Sequence, residues 1–263
     1  MVKRIVAAVF LITGTVVAQD SGSASDAFYA AIRANDLARL QVLLKQSADS
    51  NVKDARGVTP LMQAAIVGSS DAMKLLLDNG ADPNLTNASG STALMFSVTD
   101  IAKVRLLLDR GANVNAVSKF GRTALLLAAL SDGSADIVRL LLAKGADAKV
   151  SDGIKTTALI AAAGGNDTET IRQFVDAGPD VNAANLFGFT PLMISANNGN
   201  LAAVRLLLAK GADVNAVSGD GSFQKVKAGV IALGNWTPLL LAAPVGPWEL
   251  VKALLDAGAG VNV

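Results

Sequence analysis

Apolar and polar positions follow one pattern that returns at nearly constant intervals along most of the chain. A short apolar stretch follows a threonine, a polar turn interrupts it, and a second apolar run such as Val204-Arg205-Leu206-Leu207-Leu208 comes next. The opening threonines stand at 59, 92, 123, 157, 190 and 237, so the steps are 33, 31, 34, 33 and 47 residues. A unit of this size cannot bury its own apolar face, and the pattern predicts a stack of helical pairs.

The residues at the ends of each unit favour the same structure. A threonine before an apolar run is a good N-cap, and proline directly after it, as at Thr59, Thr190 and Thr237, suits the first helical position. A glycine closes each second run, where a residue with positive φ is wanted; these glycines are Gly80, Gly111, Gly145, Gly178, Gly211 and Gly258. In all but the last unit, Asp or Asn follows two residues later and is expected to bond to nearby backbone.

Three steps depart from the common length. The 31-residue step is short at the predicted inter-helix turn, Thr99-Asp100-Ile101, and the 34-residue step has one extra residue near Asp132. The 47-residue step is 14 longer than 33, and the excess lies between Gly219 and Asn235. An insertion in a solenoid often maps to the binding face, which favours a hairpin finger there. A neutral surface insertion is the alternative, since loops tolerate added length.

The unit resembles the ankyrin repeat, whose phrase is T-P-L-H-x-A-A, then G-H-x-E-x-V-x-x-L-L, then G-A-D-V-N. TPL is intact at Thr59, Thr190 and Thr237, whereas the phrase's histidine is replaced throughout, by Met62 in the first full unit. The resemblance implies an all-α solenoid of helix-turn-helix units with β-turn or hairpin loops, as an N-terminal capping repeat plus six full repeats. The expected boundaries are 26–56 for the cap, then 57–89, 90–120, 121–154, 155–187, 188–218, the insertion 219–234, and 235–263.

The first residues differ from the repeats and predict a secretory signal peptide. Lys3 and Arg4 precede an apolar run, and Val16-Val17-Ala18 provides small residues before Gln19. That order of regions predicts a signal at 1–18, cleavage after Ala18 and a polar lead-in at 19–25. An uncleaved N-terminal anchor is the alternative, although the apolar run is short for a membrane span.

Composition argues against most enzyme classes. The chain contains no His and no Cys, which removes Ser-His-Asp and Cys-His catalysis and the commonest transition-metal ligands. The S-x-x-K pattern occurs twice, at Ser50 and Ser222, and is too short to predict a nucleophile. Signal removal would leave 21 basic against 22 acidic residues, so neither nucleic acid nor an anionic membrane is an expected partner. We expect no catalytic residue, no cofactor and no metal.

The resemblance also implies a function. Ankyrin arrays hold protein partners in a groove formed by hairpin tips and first helices, and exported arrays resemble bacterial periplasmic proteins. We therefore expect a monomeric, non-catalytic scaffold in the periplasm that binds a protein of unknown identity, with no membrane span after signal cleavage. A secreted effector that binds a host protein is the alternative, and a small-molecule receptor is a further one.

The candidate binding residues follow from the phase of the repeat. Family contact positions lie just before each opening threonine, at the tip. The first two tips carry small or polar residues, whereas the later ones carry aromatic, aliphatic and basic residues. Four of the 11 aromatic residues of the chain fall at these later tips, and exposed aromatics beside Arg or Lys are typical of interface hot spots. The predicted protein-binding residues are Lys119, Phe120, Arg122, Ile154, Leu186, Phe187, Phe189 and Trp236, with Phe223 in the insertion.

Overall fold

The computed structural model describes residues 24–46, 49–219 and 234–261, and within these ranges the chain is helical with no strand. The fourteen helices are short and of two alternating kinds. In chain order they are α1 (Ala24–Arg33), α2 (Leu37–Lys45), α3 (Pro60–Val67), α4 (Ser70–Asp78), α5 (Ala93–Phe96), α6 (Ile101–Asp109), α7 (Ala124–Ala129), α8 (Ala135–Ala143), α9 (Ala158–Gly165), α10 (Thr168–Asp176), α11 (Pro191–Asn197), α12 (Leu201–Ala209), α13 (Pro238–Ala242) and α14 (Trp248–Asp256).

The helices form two layers that run the length of the array. Each odd-numbered helix packs on the next odd-numbered one, each even-numbered helix packs on the next even-numbered one, and the members of a pair contact each other. Seven pairs follow one another, as a cap and six repeats require. The predicted all-α repeat solenoid is therefore confirmed. The predicted 19–25 lead-in overlaps the first helix, which begins at Ala24.

The first helices α3 to α11 are buried along most of their length because a neighbouring first helix covers them on both sides. Thr59 accepts a hydrogen bond from the Met62 N–H, and Pro60 occupies the first turn, as predicted. Met62, at the position of the family's histidine, is 1% exposed. Small residues let these helices approach closely: a Cβ on Gly165 would lie 2.6 Å from the Ala129 carbonyl oxygen.

The second helices bury one stripe rather than a whole surface. In α12 the buried residues are Ala203, Val204 and Leu207, so the middle leucine of the Leu-Leu-Leu run points into the core. The flanking Leu206 and Leu208 are half-buried and pack against the edge of the core. Leu208 is thus less buried than the apolar run alone indicates, because adjacent second helices leave part of their outer surface open.

The two irregular helical steps lie in the inter-helix turns, as predicted. The second helix begins eleven residues after Thr190, but α6 begins nine residues after Thr92 and α8 twelve after Thr123. The short unit leaves α5 with four residues and Thr92 without its capping hydrogen bond. The buried Lys103 of α6 reaches past the short α5 to α3. Its Nζ donates to the carbonyl oxygens of Ala64 and Ala65 at 3.4 and 3.1 Å.

The glycines that end the second helices have positive φ, from +82° at Gly111 to +92° at Gly258. Beyond them an asparagine clamp joins consecutive repeats. The Asn84 amide donates to the Gly111 carbonyl at 3.0 Å, and its Oδ1 accepts the Asn113 N–H at 2.7 Å. The same pair of bonds is made by Asn51, Asn115, Asn182 and Asn215.

Lys149 stands at the clamp position between α8 and α10. Its ammonium group cannot accept the second bond of the clamp, and no hydrogen bond joins it to Gly178 or Asp180 among the described residues. Pro179 follows Gly178 and has no N–H, whereas the equivalent Ala212 donates to the Leu207 carbonyl at 3.0 Å. The α8/α10 junction therefore lacks the clamp, and α10 itself lacks the hydrogen bond that closes the C-terminal end of α12.

The N-terminal pair is attached to the first full repeat by a buried phenol. Tyr29 is 6% exposed, and its hydroxyl donates to the Val58 carbonyl at 2.8 Å. Burial raises the pKa of the Tyr29 phenol, and the nearby Asp54 carboxylate raises it further, so the group keeps its proton.

Across 24–46, 49–219 and 234–261, no helix is both long and apolar enough to cross a bilayer.

Candidate binding surface

Each repeat begins with a tight turn, the tip, which precedes the opening threonine. In the tip at 185–189 the Asn185 N–H donates to the Phe189 carbonyl at 3.1 Å. The Asn185 Oδ1 accepts from the Phe187 and Phe189 N–H groups at 3.0 and 3.1 Å. Asp54, Asn87 and Asp152 hold their tips in the same way. The predicted turns are therefore fixed by their own side chains.

Consecutive tips are also bonded to one another. The Lys119 N–H donates to the Ser89 carbonyl, Gly153 to Phe120, Leu186 to Ile154 and Gly219 to Phe187, at 2.9 to 3.0 Å. The tips thus form one continuous edge of the array. Because the backbone beneath them is fixed from repeat to repeat, side chains at equivalent tip positions stand in a row.

The insertion opens from the last tip. The Ser218 N–H donates to the Trp236 carbonyl at 2.9 Å, and the Ser218 Oγ accepts from the Trp236 N–H at 2.9 Å. These two residues therefore take the positions that Asn185 and Phe189 hold one repeat earlier. The extra residues of the sequence fall between Gly219, whose N–H donates to the Phe187 carbonyl, and Asn235. The predicted Phe223 lies outside the described residues.

The predicted site residues fall into two groups by exposure. Phe120, Ile154, Leu186 and Phe187 have 63, 44, 56 and 51% of their surface exposed, and Lys119 is also exposed. Arg122, Phe189 and Trp236 share the last position of their tips and are half-buried. The array brings the exposed group onto three consecutive tips. We call Lys119, Phe120, Ile154, Lys155, Leu186 and Phe187 the central tip row.

Lys155 belongs to this row although the sequence interpretation missed it. It has a φ of +59° at the position that Gly57, Gly90, Gly121 and Gly188 occupy in other tips. At those glycines a Cβ would meet the backbone of the next tip at 3.1 Å or less. A lysine in this conformation is strained, and strained residues concentrate at functional sites. Four other tips have glycine at this position, and that difference was a signal available in the sequence.

The charge pattern differs between the ends of the tip edge. In the first tip, Arg56 pairs with Asp54 at 3.2 Å. Lys119, Arg122 and Lys155 have no ion pair within the part of the chain that the structure describes. Asp152, the only acidic residue in their tips, has one carboxylate oxygen occupied by the Ile154 and Thr156 N–H groups. The central tip row therefore combines exposed apolar and cationic groups.

The rest of the described surface has few features that could bind a small molecule or a metal ion. The better-formed hollows are shallow grooves of about 410 and 430 Å³ between neighbouring second helices, α12 with α14 and α2 with α4. The described residues contain no cluster of side chains that could hold a metal ion. Trp248, at the start of α14, is 66% exposed and is an aromatic residue outside the central tip row.

Three comparisons with known proteins bear on this architecture. A family model for ankyrin repeats in three copies matches residues 7–87, 27–118, 68–152 and 147–218, and the model for a single ankyrin repeat matches residues 234–263. The crystal structure of the human ASB11 ankyrin repeat domain is similar, with a TM-score of 0.71 and 22% identity over 89% of this chain and 98% of that one. At this identity the likeness shows the fold alone. The curated proteins include no match.

Proposed function

The chain belongs to the ankyrin repeat family, whose members generally mediate protein–protein interaction, and on that basis we propose that it is a non-catalytic, monomeric scaffold that binds a protein partner. The surface that serves this function is the groove between the tips and the first helices, centred on the central tip row. A partner contacts the exposed rings and aliphatic side chains, and the array provides a rigid support.

One observation carries the proposal: four large apolar side chains stand exposed in a row on a hydrogen-bonded edge. Phe120, Ile154, Leu186 and Phe187 are each at least 44% exposed, although most large apolar residues of the array are in the core. A contiguous exposed apolar patch marks interaction sites on soluble proteins. The bonds between tips fix the backbone before binding, so little conformational entropy is lost on association.

Replacement of Phe120 and Phe187 by alanine tests the proposal. We expect the double variant to lose the partner that wild-type protein retains from the native cell fraction, as seen by cross-linking and mass spectrometry. Both rings are exposed, so the melting temperature should change by no more than a few degrees. Phe189 is half-buried and is left intact, because its removal would confound binding with stability.

Trp248→Ala is the matched control, since it removes an exposed aromatic residue outside the central tip row. This variant should retain the partner. If the double variant binds normally, or if Trp248→Ala loses the same partner, the tips are not the binding surface. Early melting of the double variant would instead assign the rings to packing.

We also propose that the protein is exported and works in the bacterial periplasm. Lys3, Arg4, the apolar run and the small residues before Gln19 support this location. N-terminal sequencing of protein from the envelope should begin at Gln19. Protein that starts at Met1 and stays in the cytosol would refute export, and mature protein found in the medium would favour the secreted effector instead.

A further inference from the structure

Resting on the proposed scaffold function, we propose that the central tip row binds an extended acidic segment of the partner, with an apolar residue at about every third position. The apolar residues of the segment contact Phe120, Ile154 and Phe187. Its carboxylates lie over Lys119, Arg122 and Lys155. The inference names the chemistry of the partner, which ankyrin family membership does not specify.

The charge of the segment follows from the two lysines of the central tip row and from Arg122, which lies in the same tip as Phe120. Lys119 and Lys155 are exposed and Arg122 is half-buried, and no ion pair occupies any of them in the described structure. Arg56, at the other end of the tip edge, already has Asp54 as its partner. Unpaired cations around an apolar patch favour a partner of opposite charge and disfavour a basic one.

The conformation of Lys155 supports a role in binding. Each of the other tips described in full has glycine at this position, whereas the tip at 152–156 keeps a lysine at a φ of +59°. A residue with a strained backbone persists where the surrounding structure holds it, and such residues cluster at ligand contacts. Lys155 stands between the tips that carry Phe120 and Phe187, which are bonded to its own tip on either side through Gly153 and Leu186.

The spacing of the segment follows from the spacing of the tips. The first helices that carry the tips pack side by side, at about 8–10 Å for packed helices in general. An extended chain of the polyproline II type has three residues per turn and rises about 3.1 Å per residue, so every third side chain faces the same way about 9 Å apart. Each apolar residue of such a segment would therefore contact a different tip.

A polypeptide fits the row better than a nucleic acid strand does. Ile154 stands on the tip between those of the two phenylalanines, and an aliphatic side chain does not provide the stacking platform that single strands use. Three cations on a chain with nearly balanced charge also make a weak site for a phosphate backbone.

The experiment uses full-length mature protein and labelled synthetic peptides, with fluorescence anisotropy as the readout. One peptide has leucine at every third position and glutamate elsewhere. The second has lysine in place of glutamate. The third has the same numbers of leucines and glutamates as the first, but its leucines stand at every second position at one end of the peptide. A single-stranded oligonucleotide is the fourth ligand.

We expect the first peptide to bind best, and its affinity to fall about tenfold between about 0.05 and 0.5 M salt. The triple variant Lys119→Gln, Arg122→Gln and Lys155→Gln should bind it about tenfold more weakly at low salt. The control variant Lys74→Gln, Arg105→Gln and Arg205→Gln removes equal charge from exposed positions on the second helices, and should bind as wild type does.

Several results would overturn the inference. These are no binding of the acidic peptide, equal or tighter binding of the basic peptide or the oligonucleotide, no preference for the third-position spacing, or equal losses in the two triple variants. If the triple variant keeps the native partner while the Phe120 and Phe187 variant loses it, the scaffold function holds and the acidic segment is wrong.

Discussion

Leu207 and Leu208 show how adjacent residues of one apolar run take different positions in the fold. Leu207 is fully buried on the inner face of α12, whereas Leu208 is half-buried at the edge between neighbouring second helices. The free energy that each contributes depends on the area it buries and on how far its surroundings can relax once it is removed. Identical side chains in one run should therefore differ in their effect on stability.

Leu207→Ala should lower the free energy of unfolding by about 2–5 kcal/mol, because a fully buried leucine leaves a cavity. Leu208→Ala is the matched control and should lower it by about 1 kcal/mol, since its side chain is only half-buried. Urea unfolding followed by circular dichroism measures both. Equal losses for the two variants would contradict the packing of α12.

Lys155 offers a second comparison at the scale of one residue. Its left-handed conformation costs about 1–2 kcal/mol for a residue with a Cβ, and glycine in the unfolded chain costs about 0.5–1 kcal/mol in entropy. Lys155→Gly should therefore stabilise the protein by about 0.5–1 kcal/mol, measured by the midpoint of urea unfolding.

Gly188→Ala is the opposite control for Lys155→Gly. Its φ is +76°, and a Cβ would lie 2.5 Å from the Gly219 backbone nitrogen, so the variant should lose more than about 1 kcal/mol. If Lys155→Gly destabilises the array, Lys155 makes packing contacts that outweigh its backbone strain.

The elements of the array are held by repeated links at three levels: apolar contacts between helices, hydrogen bonds between tips, and the asparagine clamp near the ends of the second helices. Ion pairs such as Arg110 with Asp78 at 2.7 Å also join neighbours, but they are partly exposed and contribute little each. The clamp is the link that differs between junctions, because it is absent at the α8/α10 junction and present at the others that the structure describes.

Lys149→Asn should restore the clamp at the α8/α10 junction. The new amide would donate to the Gly178 carbonyl and accept the Asp180 N–H, as Asn115 does one repeat earlier with Gly145 and Asp147. We expect a gain of about 1 kcal/mol from two hydrogen bonds near the surface. Asn115→Lys introduces the same defect at the preceding junction and should lose a similar amount. No change in either variant would show that the clamp is energetically neutral.

At the scale of the whole molecule, the stability of a repeat array is close to a sum of unit and interface contributions. The α8/α10 junction lacks the two hydrogen bonds of the clamp, although α7 and α9 still pack closely through Gly165. The array should therefore separate most readily between the repeat at 121–154 and the repeat at 155–187. The central tip row extends across this junction, so a bound partner should hold the two parts together.

Native-state hydrogen exchange at increasing urea should show two cooperative units, one comprising α1 to α8 and the other α9 to α14. Lys149→Asn should bring their opening free energies closer together. A single cooperative unit in the wild-type protein, or a boundary at another junction, would show that the missing links do not control the unfolding order.

The sequence by itself determined the repeat, the order of helices, their caps and their glycine stops. It also located the short and long turns and the residues of the central tip row other than Lys155. These features depend on local preferences and on a period that is visible in one chain: Thr59 caps because it precedes an apolar run, and Gly211 ends a helix because it tolerates positive φ.

The tertiary structure alone decided which side chains in these patterns are covered. Equivalent runs did not reveal that Leu207 is buried and Leu208 half-buried, that Phe187 is exposed and Phe189 half-buried, or that the Lys103 ammonium binds carbonyls of another repeat. Burial depends on what the adjacent repeats place against a residue, which is a long-range property. The residues of each tip could be identified from the sequence, but the exposure of their side chains could be determined only from the packing of the repeats.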